Sequence, residues 1–178
     1  MKFGRASCAE AAGAILAHSV QAGATRLKKG IVLSDEDIKA LLAAGIADVT
    51  VATLGVDDIH EDRAAQQVAC SVQGDHTALT EPVAGRVNLV AGMDGLLSVS
   101  PDAITAVNSV DEAITLATLP PFARVRQGAL LATVQIIPYG VSRQSVEAAI
   151  PAAGSAALNV LPFHATTFDL ILPPTPGF

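Results

Sequence analysis

Apolar and polar residues alternate with a helical period in the stretch that follows Ser34. Ile38, Leu41 and Leu42 fall at positions i, i+3 and i+4, so they line one face of a helix. Ser34 and Asp37 form an S-x-x-D start, in which the hydroxyl and the carboxylate accept hydrogen bonds from backbone N–H groups that the helix leaves free. The pattern predicts a short, capped helix with its apolar stripe buried.

Glycines mark the turns between this helix and the strands around it. Residues 12–23 form an aliphatic run between two glycines, which favours a strand, although the alanines keep a helix open as the alternative. A turn at Gly30 precedes a short predicted strand over 31–33. Gly45 can take the left-handed conformation that ends a helix, and the apolar run 47–54 then predicts a further strand.

Three more helices are predicted downstream. Residues 57–74 carry acids in the first turn, where the helix dipole favours them, and apolar side chains at helical spacing on one face. This face contains Ile59, Ala65, Val68, Ala69 and Val72. A Ser-Pro pair begins a helix over about 101–108, and Ser142 caps another that ends near Ala153.

The second half of the chain has the pattern of short strands. Three glycines interrupt residues 82–100, which indicates tight turns, and two prolines end a strand over 111–121. A Gln-Gly turn inside a β-rich run over 124–141 predicts a hairpin. Two final strands are predicted over 157–163 and 168–174.

These elements predict an α+β fold in which short strands pack against three or four helices. We expect two subdomains that meet near Thr80, an α/β subdomain over 1–80 and a β-rich subdomain with short helices over 81–166. The glycine-interrupted strands and the hairpin favour a barrel-like architecture for the second subdomain.

Composition and charge narrow the classes of function. The chain has 178 residues, of which 51% are hydrophobic and only 3% aromatic, and its formal net charge is -6. Few aromatic side chains are present to stack on bases, and an acidic protein repels phosphate backbones and anionic membrane surfaces. The longest apolar runs, such as 129–138, are shorter than the roughly 20 residues that span a bilayer. We therefore expect no nucleic-acid partner and no membrane partner.

The N-terminal stretch of the chain indicates where in the cell the protein is expected. Glu10 and His18 interrupt its apolar stretch, which makes it a poor signal peptide. We expect a cytoplasmic protein.

The sequence contains no recognisable catalytic or metal-binding motif. The four histidines are far apart, and no G-x-S-x-G, P-loop or dinucleotide fingerprint occurs. Asp57, Asp58, Glu61 and Asp62 lie within one helical turn and could gather a hard cation such as Mg²⁺. The favoured interpretation is a solvated, acidic helix start. We predict no catalytic residue and no metal ligand.

Cationic residues beside glycine turns are the candidate binding residues. Lys28 and Lys29 precede Gly30, and Arg86 follows Gly85. At such turns a cationic side chain and backbone N–H groups can approach an anion together. The pattern predicts that any anionic ligand is held at these two turns. The alternative, favoured for most of these cations, is that they are surface charges that keep the protein soluble.

Five segments occur in a distinctive order along the chain. They are GAILAHSV, RLKKGIVLSDEDIKALLAAGIADVTVATL, DDIHEDRAAQQVA, AGRVNLVAGMDGLL and LLATVQIIPYGV. Together they resemble the N-terminal half of a bacterial family of molybdopterin-binding proteins of molybdenum cofactor biosynthesis. Members of this family often continue into a molybdopterin-binding α/β domain and a nucleotidyltransferase domain. The tail over 167–178 resembles the start of that α/β domain, so the resemblance implies that the main pterin site lies outside this chain.

The resemblance implies a cofactor and partners. Molybdopterin is the implied cofactor, with Mg²⁺ in the full-length protein. The implied partners are molybdopterin or molybdate and downstream domains of the same polypeptide, and a homo-oligomer stays open. The Met-Asp-Gly sequence at Asp94 is similar to a motif of molybdenum-insertion enzymes. Asp94 therefore joins Lys28, Lys29, Gly30 and Arg86 as a candidate anion- or pterin-binding residue, with a turn-forming Asp-Gly pair as the alternative.

Three functions are compatible with the residues and the resemblance. The favoured one is a scaffold or binding module of molybdenum cofactor biosynthesis that is not catalytic alone. The alternatives are an enzyme acting on molybdopterin or molybdate, or part of a cofactor nucleotidyltransferase, and a generic small-ligand binding domain. The lack of a nucleophile, metal or nucleotide motif favours the module, and enzyme activity stays an open question.

Overall fold

The computed structural model describes residues 1–154 and 156–163 of the chain. Within these residues it contains four α-helices, one 3₁₀ helix and short antiparallel strands in several small sheets. The α+β class predicted from the sequence is confirmed. Buried apolar residues form two clusters, which we call the small core, between Cys8 and Val51, and the large core, between Ile59 and Val160.

The first third of the chain builds the small core. Its elements are β1 (Lys2–Ser7), the 3₁₀ helix (Cys8–Glu10), β2 (Ile15–Leu16), β3 (Val20–Ala22), β4 (Thr25–Leu27), α1 (Asp35–Ala43) and β5 (Asp48–Thr53). β5 is the central strand of the antiparallel sheet β1-β5-β2, and β3 pairs with β4. The strand predicted over 12–23 is present as two short strands, and the one predicted over 47–54 is present as β5.

Helix α1 begins and ends as predicted. The Ser34 backbone N–H donates to the Asp37 carboxylate at 2.9 Å, and the Asp37 backbone N–H donates to Ser34 Oγ at 3.2 Å. Gly45 follows the helix with a left-handed φ of 75°. Leu42 is exposed rather than buried, because α1 contacts the small core through the narrower stripe that contains Leu41.

Residues 31–33 do not form the strand that was expected after the glycine turn. Only Val32 takes part in a β-bridge, with Ile15. The segment still runs beside β2, since the Leu16 N–H donates to Ile31 O at 2.9 Å. Because β2 is only two residues long, the pairing does not extend into a regular ladder.

The rest of the described chain builds the large core. Its elements are β6 (Asp58–His60), α2 (Glu61–Val72), β7 (Thr77–Leu79), β8 (Arg86–Ala91), β9 (Gly95–Val99), α3 (Pro101–Asn108), β10 (Ile114–Thr118), β11 (Arg124–Val125), β12 (Leu130–Ile136), β13 (Gly140–Ser142), α4 (Arg143–Ala152) and β14 (Leu158–Pro162). They form the sheets β10-β12-β8-β7, β11-β9-β14 and β13-β6. Helix α2 packs on β8 and β12 and beside α4. Among the described residues, no helix has both the length and the apolar composition needed to cross a membrane.

Two expectations for the second half are wrong. None of the sheets in the described residues closes, so the barrel-like architecture is absent there. The hairpin over 124–141 does not form either, because β11 pairs with β9 whereas β12 pairs with β8 and β10. The turn is instead attached to the β8–β9 connection: the Gly128 N–H donates to Ala91 O at 2.7 Å, and Asp94 accepts the Gln127 N–H at 2.8 Å.

The two cores divide between Val51 and Ile59. The subdomain boundary expected near Thr80 stays a prediction. The last expected segment, 167–178, and the strand expected within it lie outside the described residues.

Candidate functional site

A cavity of about 360 Å³ lies between the segments that build the small core and those that build the large core. We call it the Glu61 cavity. Its lining residues are Met1, Phe3, Lys29 and Gly30 on one side and Glu61, Ala84, Ile137, Pro138 and Tyr139 on the other. Apolar side chains make up most of the wall, and the volume falls within the range of pockets that hold small organic molecules.

Strand pairing brings Glu61 to the cavity. β6 pairs with β13 so that His60 lies opposite Gly140, and α2 begins at the next residue. The Glu61 backbone N–H donates to Tyr139 O at 3.1 Å, which places these two residues at the same end of the ladder. His60 caps the helix, since its Nδ1 accepts the Asp62 N–H at 3.2 Å.

The burial of Glu61 is unusual for a carboxylic acid. Only 7% of its surface is exposed, and it is the one buried charged residue in the described part of the chain. Within those same residues its carboxyl group has neither a hydrogen-bond donor nor an ion-pair partner. Buried charges are normally paired, because an unpaired charge away from water is costly. Glu61 instead lines the cavity, where a ligand could reach it.

Gly85 allows the backbone to pass directly beside this carboxyl group. Ala84 and Gly85 both have left-handed backbones, with φ of 50° and 72°. A Cβ atom on Gly85 would lie 2.6 Å from Ile136 O and 2.8 Å from Glu61 Oε2. Both distances are too short for a side chain, so the position requires glycine.

The surroundings of Glu61 raise its pKa towards neutral pH. Burial raises the pKa of Glu61 from its ordinary 4.5 to about 7, because desolvation penalises the charged form. The value of about 7 includes two smaller contributions: the Asp62 carboxylate raises this pKa by like-charge repulsion, and the Lys29 ammonium lowers it. Near pH 7 the side chain is therefore divided between a neutral acid that donates a hydrogen bond and an anion that accepts one.

The neighbouring acids have partners of their own. Asp58 contacts the Met1 amine at 2.6 Å, and this bond lowers the pKa of Asp58 from its ordinary value. Asp62 accepts the Gly85 N–H at 2.7 Å. The favoured interpretation of the acidic run over 57–62 is a solvated helix start. Because Glu61 is buried, this interpretation is wrong for that residue. Across the described ranges, no group of three or more potential ligands is placed to hold a metal ion.

The turn at Lys29 and Gly30 forms the rim of the cavity. Gly30 has a φ of 86°, and its N–H donates to Leu16 O at 2.7 Å. The Lys29 backbone N–H donates to Ser19 Oγ at 3.0 Å, while its side chain is exposed. The turn is thus fixed to the small core, and its ammonium group lies in solvent near the cavity.

Tyr139 links the two sides of the cavity. Its hydroxyl donates to Ala17 O at 2.9 Å, which joins the β12–β13 connection to the segment after β2. Tyr139 is the single tyrosine of a chain without tryptophan. Phe3 and Ile137 remain 59% and 65% exposed, so part of the apolar wall is accessible to a ligand.

The structure brings together only part of the predicted binding set. Lys29 and Gly30 line the Glu61 cavity, whereas Lys28 is outside its lining. Arg86 lies in a neighbouring groove of about 470 Å³ that shares only Ala84 with the cavity. Their roles in anion or pterin binding stay predictions.

The other predicted site residues have local contacts. Arg86 Nε donates to Gln135 Oε1 at 3.0 Å on the face of the β8–β12 pair. Asp94 accepts the Gln127 N–H at 2.8 Å and so holds a turn, as in the alternative given for it above. Neither residue lines the Glu61 cavity.

The favoured interpretation of the sequence selects neither Glu61 nor Tyr139 as a binding residue, although Glu61 is named in the acidic run that could gather a cation. Glu61 occurs in an acidic run at a helix start, where exposure is the ordinary outcome, and its burial depends on pairing with a distant strand. The one available signal was Tyr139, a single tyrosine in a chain with few aromatic residues.

Comparison with known proteins gives one partial match. The family described as a domain of unknown function, DUF8806, matches residues 5–53. No curated protein and no solved structure matches the chain. The matched range contains α1 and most of the segments around the small core, with Lys29 and Gly30, whereas Glu61 and the large core lie outside it.

These comparisons correct the expected partners. Only a domain of unknown function is matched, and nothing links the chain to molybdopterin-binding proteins. Molybdopterin, molybdate and downstream domains are therefore withdrawn as partners. Membership of the molybdenum cofactor family, with its pterin cofactor and Mg²⁺, stays an untested prediction of the sequence.

Proposed function

We propose that the chain is a small-ligand binding module whose ligand occupies the Glu61 cavity. The observation that carries the proposal is Glu61, a residue that is 7% exposed, lines the cavity and has no hydrogen-bond donor or ion-pair partner for its carboxyl group among the described residues. An uncompensated buried charge destabilises a fold. A ligand that supplies the missing partner offsets this cost and stabilises the folded state on binding.

The position of the cavity supports the same proposal. Ligand pockets occur preferentially where two structural units meet. Lys29 and Gly30 contribute from the small-core side, and Glu61 and Tyr139 from the large-core side. A bound molecule would therefore contact both sides and strengthen the connection that the Tyr139 hydroxyl makes to Ala17.

Catalysis is the second candidate function, and one observation favours it. A carboxyl group with a pKa of about 7 can donate or accept a proton efficiently near neutral pH. Among the lining residues in the described part of the chain, no serine, cysteine or histidine is present; Lys29 and Tyr139 are acid–base residue types, but the Lys29 side chain is exposed and the Tyr139 hydroxyl donates to Ala17 O. Binding therefore accounts for the cavity with fewer assumptions. The role in molybdenum cofactor biosynthesis and the cytoplasmic location stay separate predictions.

A fragment screen of the full chain tests the binding function. ¹H–¹⁵N NMR spectra are recorded with a panel of small neutral, anionic and cationic fragments. We expect a subset of the panel to shift the amide signals of Gly30, Glu61 and Tyr139 together, because these residues surround one cavity. Each positive fragment is also incubated with the protein and checked for chemical change, which would favour the catalytic alternative.

Two tryptophan variants provide the control. Ile137→Trp adds bulk at the cavity wall, and Leu130→Trp makes the same kind of change at an exposed position at the other end of β12. We expect fragment binding to be lost in the first variant and retained in the second. A panel without cavity ligands, or equal binding by both variants, would contradict the proposed function.

A further inference from the structure

The charged groups around the cavity are unevenly partnered. The Met1 amine lies 2.6 Å from Asp58, so these two charges offset each other. Asp62 accepts the Gly85 N–H at 2.7 Å. Glu61 has no donor and no cation within 4.0 Å among the described residues. The charge that lacks a partner inside the cavity is therefore negative.

Lys29 does not supply that partner. Its ammonium group is close enough to act on the Glu61 carboxyl through space, but the two groups form no ion pair and the lysine side chain stays exposed. An exposed ammonium is hydrated, and its attraction is weakened by water. A cation that enters the cavity would contact Glu61 away from water, where charge-assisted hydrogen bonds are stronger.

We infer that the ligand of the Glu61 cavity is a small organic amine, with its ammonium group held by the Glu61 carboxylate and its apolar body against Phe3, Ile137 and Pro138. The inference rests on the proposed function, because it assigns a chemical class to the ligand of the same cavity. The three apolar residues line the wall, and two of them are exposed by more than half of their surface.

An organic cation fits the cavity better than a metal ion. Hard metal ions require several oxygen ligands at short distance, but Glu61 is the only carboxyl group that lines the cavity within the described residues. A volume of about 360 Å³ also exceeds what one ion needs, whereas it accommodates an ammonium group attached to a hydrocarbon body.

Three probes of matched size test the chemical class. Hexylammonium, hexanol and hexanoate share one hydrocarbon chain and differ in the charge of the head group. The full chain is titrated with each probe at pH 8 and constant ionic strength, and affinity is measured from the amide shifts of Gly30, Glu61 and Tyr139. We expect hexylammonium to bind at least about tenfold more tightly than the other two probes, because one charge-assisted hydrogen bond contributes roughly this factor.

Three variants assign the preference to residues. Glu61→Gln should lower hexylammonium affinity by at least about tenfold and leave hexanol affinity nearly unchanged. Asp37→Asn makes the same change of charge at the start of α1, outside the cavity lining, and should have no effect on either probe. Lys29→Ala removes an exposed repulsive charge, so it should strengthen hexylammonium binding by about two- to fivefold.

The outcomes separate this inference from the proposed function. If hexanol or hexanoate binds the cavity as tightly as hexylammonium, or if the preference for hexylammonium survives in Glu61→Gln, the amine class is wrong and the binding module stands. If hexylammonium does not reach the cavity while other fragments of the panel do, the amine class is again wrong. If no probe and no fragment shifts the cavity amides, both proposals fail.

Discussion

The starts of helices α1 and α2 place similar acidic residues in different surroundings. Asp37 in the first turn of α1 receives hydrogen bonds from the Ser34 backbone N–H at 2.9 Å and from its hydroxyl at 2.7 Å. These bonds lower the pKa of Asp37 from its ordinary value. Glu61, the first residue of α2, receives no such bond among the described residues, and burial raises its pKa to about 7.

The difference shows that a local pattern and a tertiary environment can oppose each other. At α1 the hydrogen-bond donors are three residues away in the sequence, so the cap forms wherever the helix forms. At α2 the carboxyl group lies beside Gly85, and the β6–β13 ladder places Glu61 next to Tyr139, so its surroundings come from distant parts of the chain. A capping acid stabilises its own helix, whereas a buried acid without a partner indicates a binding site for a ligand.

Crowding the buried acid should produce the largest effect. Gly85→Ala places a Cβ atom 2.8 Å from Glu61 Oε2 and 2.6 Å from Ile136 O, and it also forces alanine into a left-handed backbone. We expect the free energy of unfolding to fall by about 3 kcal/mol or more. Gly45→Ala after α1 is the control, since it has the same backbone strain with no atom within 4 Å, and should cost about 1 kcal/mol. Equal losses in urea denaturation would contradict the close contact.

Removing the buried charge should have the next largest effect, and it should depend on pH. The folded protein holds the proton of Glu61 more tightly than the unfolded chain does. The resulting stabilisation is complete below the unfolded pKa of about 4.5 and is lost as the pH rises through about 7. Glu61→Gln should therefore be more stable than the wild type at pH 8, by on the order of 2 kcal/mol, with little difference at pH 4.

Denaturation curves measured across this pH range test the prediction. A Glu61→Gln variant that is less stable than the wild type at pH 8 would mean that the carboxylate has a favourable partner in the folded protein.

The stability contributed by Asp37 at the start of α1 should have the opposite pH dependence. Asp37→Ala removes two hydrogen bonds to Ser34 and should cost about 1 to 1.5 kcal/mol at pH 7. Because the folded pKa of Asp37 is lowered, its contribution is present above the unfolded pKa and is lost as the pH falls through the folded pKa. Wild type and variant should therefore converge in stability at low pH. Divergence in acid would contradict the capping role.

The connection between the two cores should give the smallest effect. Tyr139→Phe removes the hydroxyl that donates to Ala17 O, and the expected loss is about 0.5 to 1 kcal/mol. Hydrogen exchange should locate the loss to the Ala17 segment and the β12–β13 connection. A Tyr139→Phe protein with unchanged exchange at both places would show that this bond contributes nothing to the contact between the cores.

The predictable part of the fold is the part with local causes. The capped start of α1, the left-handed Gly45 after it, and the α3 helix after its Ser-Pro pair all depend on residues within a few positions of one another. The pairing of strands, in contrast, depends on residues that are far apart in the sequence. The run over 124–141 has the pattern of a hairpin, but β11 pairs with β9 because the turn is attached to Ala91 and Asp94.

In the candidate site, too, only the residues with local causes could be predicted from the sequence. Lys29 and Gly30 could be selected from the sequence, since a cation beside a glycine turn is a local feature. Glu61 could not, because its sequence neighbours favour exposure, and the β6–β13 pairing that places it beside Tyr139 joins distant parts of the chain. Asp94 is a candidate by resemblance to a family motif. In the structure it makes the turn contact that its Asp-Gly sequence predicts from local features alone.

The most direct test of the account is an NMR titration of the Glu61 carboxyl carbon, with Asp37 in the same sample as the internal comparison. We expect a midpoint near pH 7 for Glu61 and a midpoint below the ordinary value of 3.8 for Asp37. A Glu61 midpoint at or below its ordinary 4.5 would show that the carboxyl is solvated or already paired, and the cavity would then lack the unsatisfied charge on which both proposals depend.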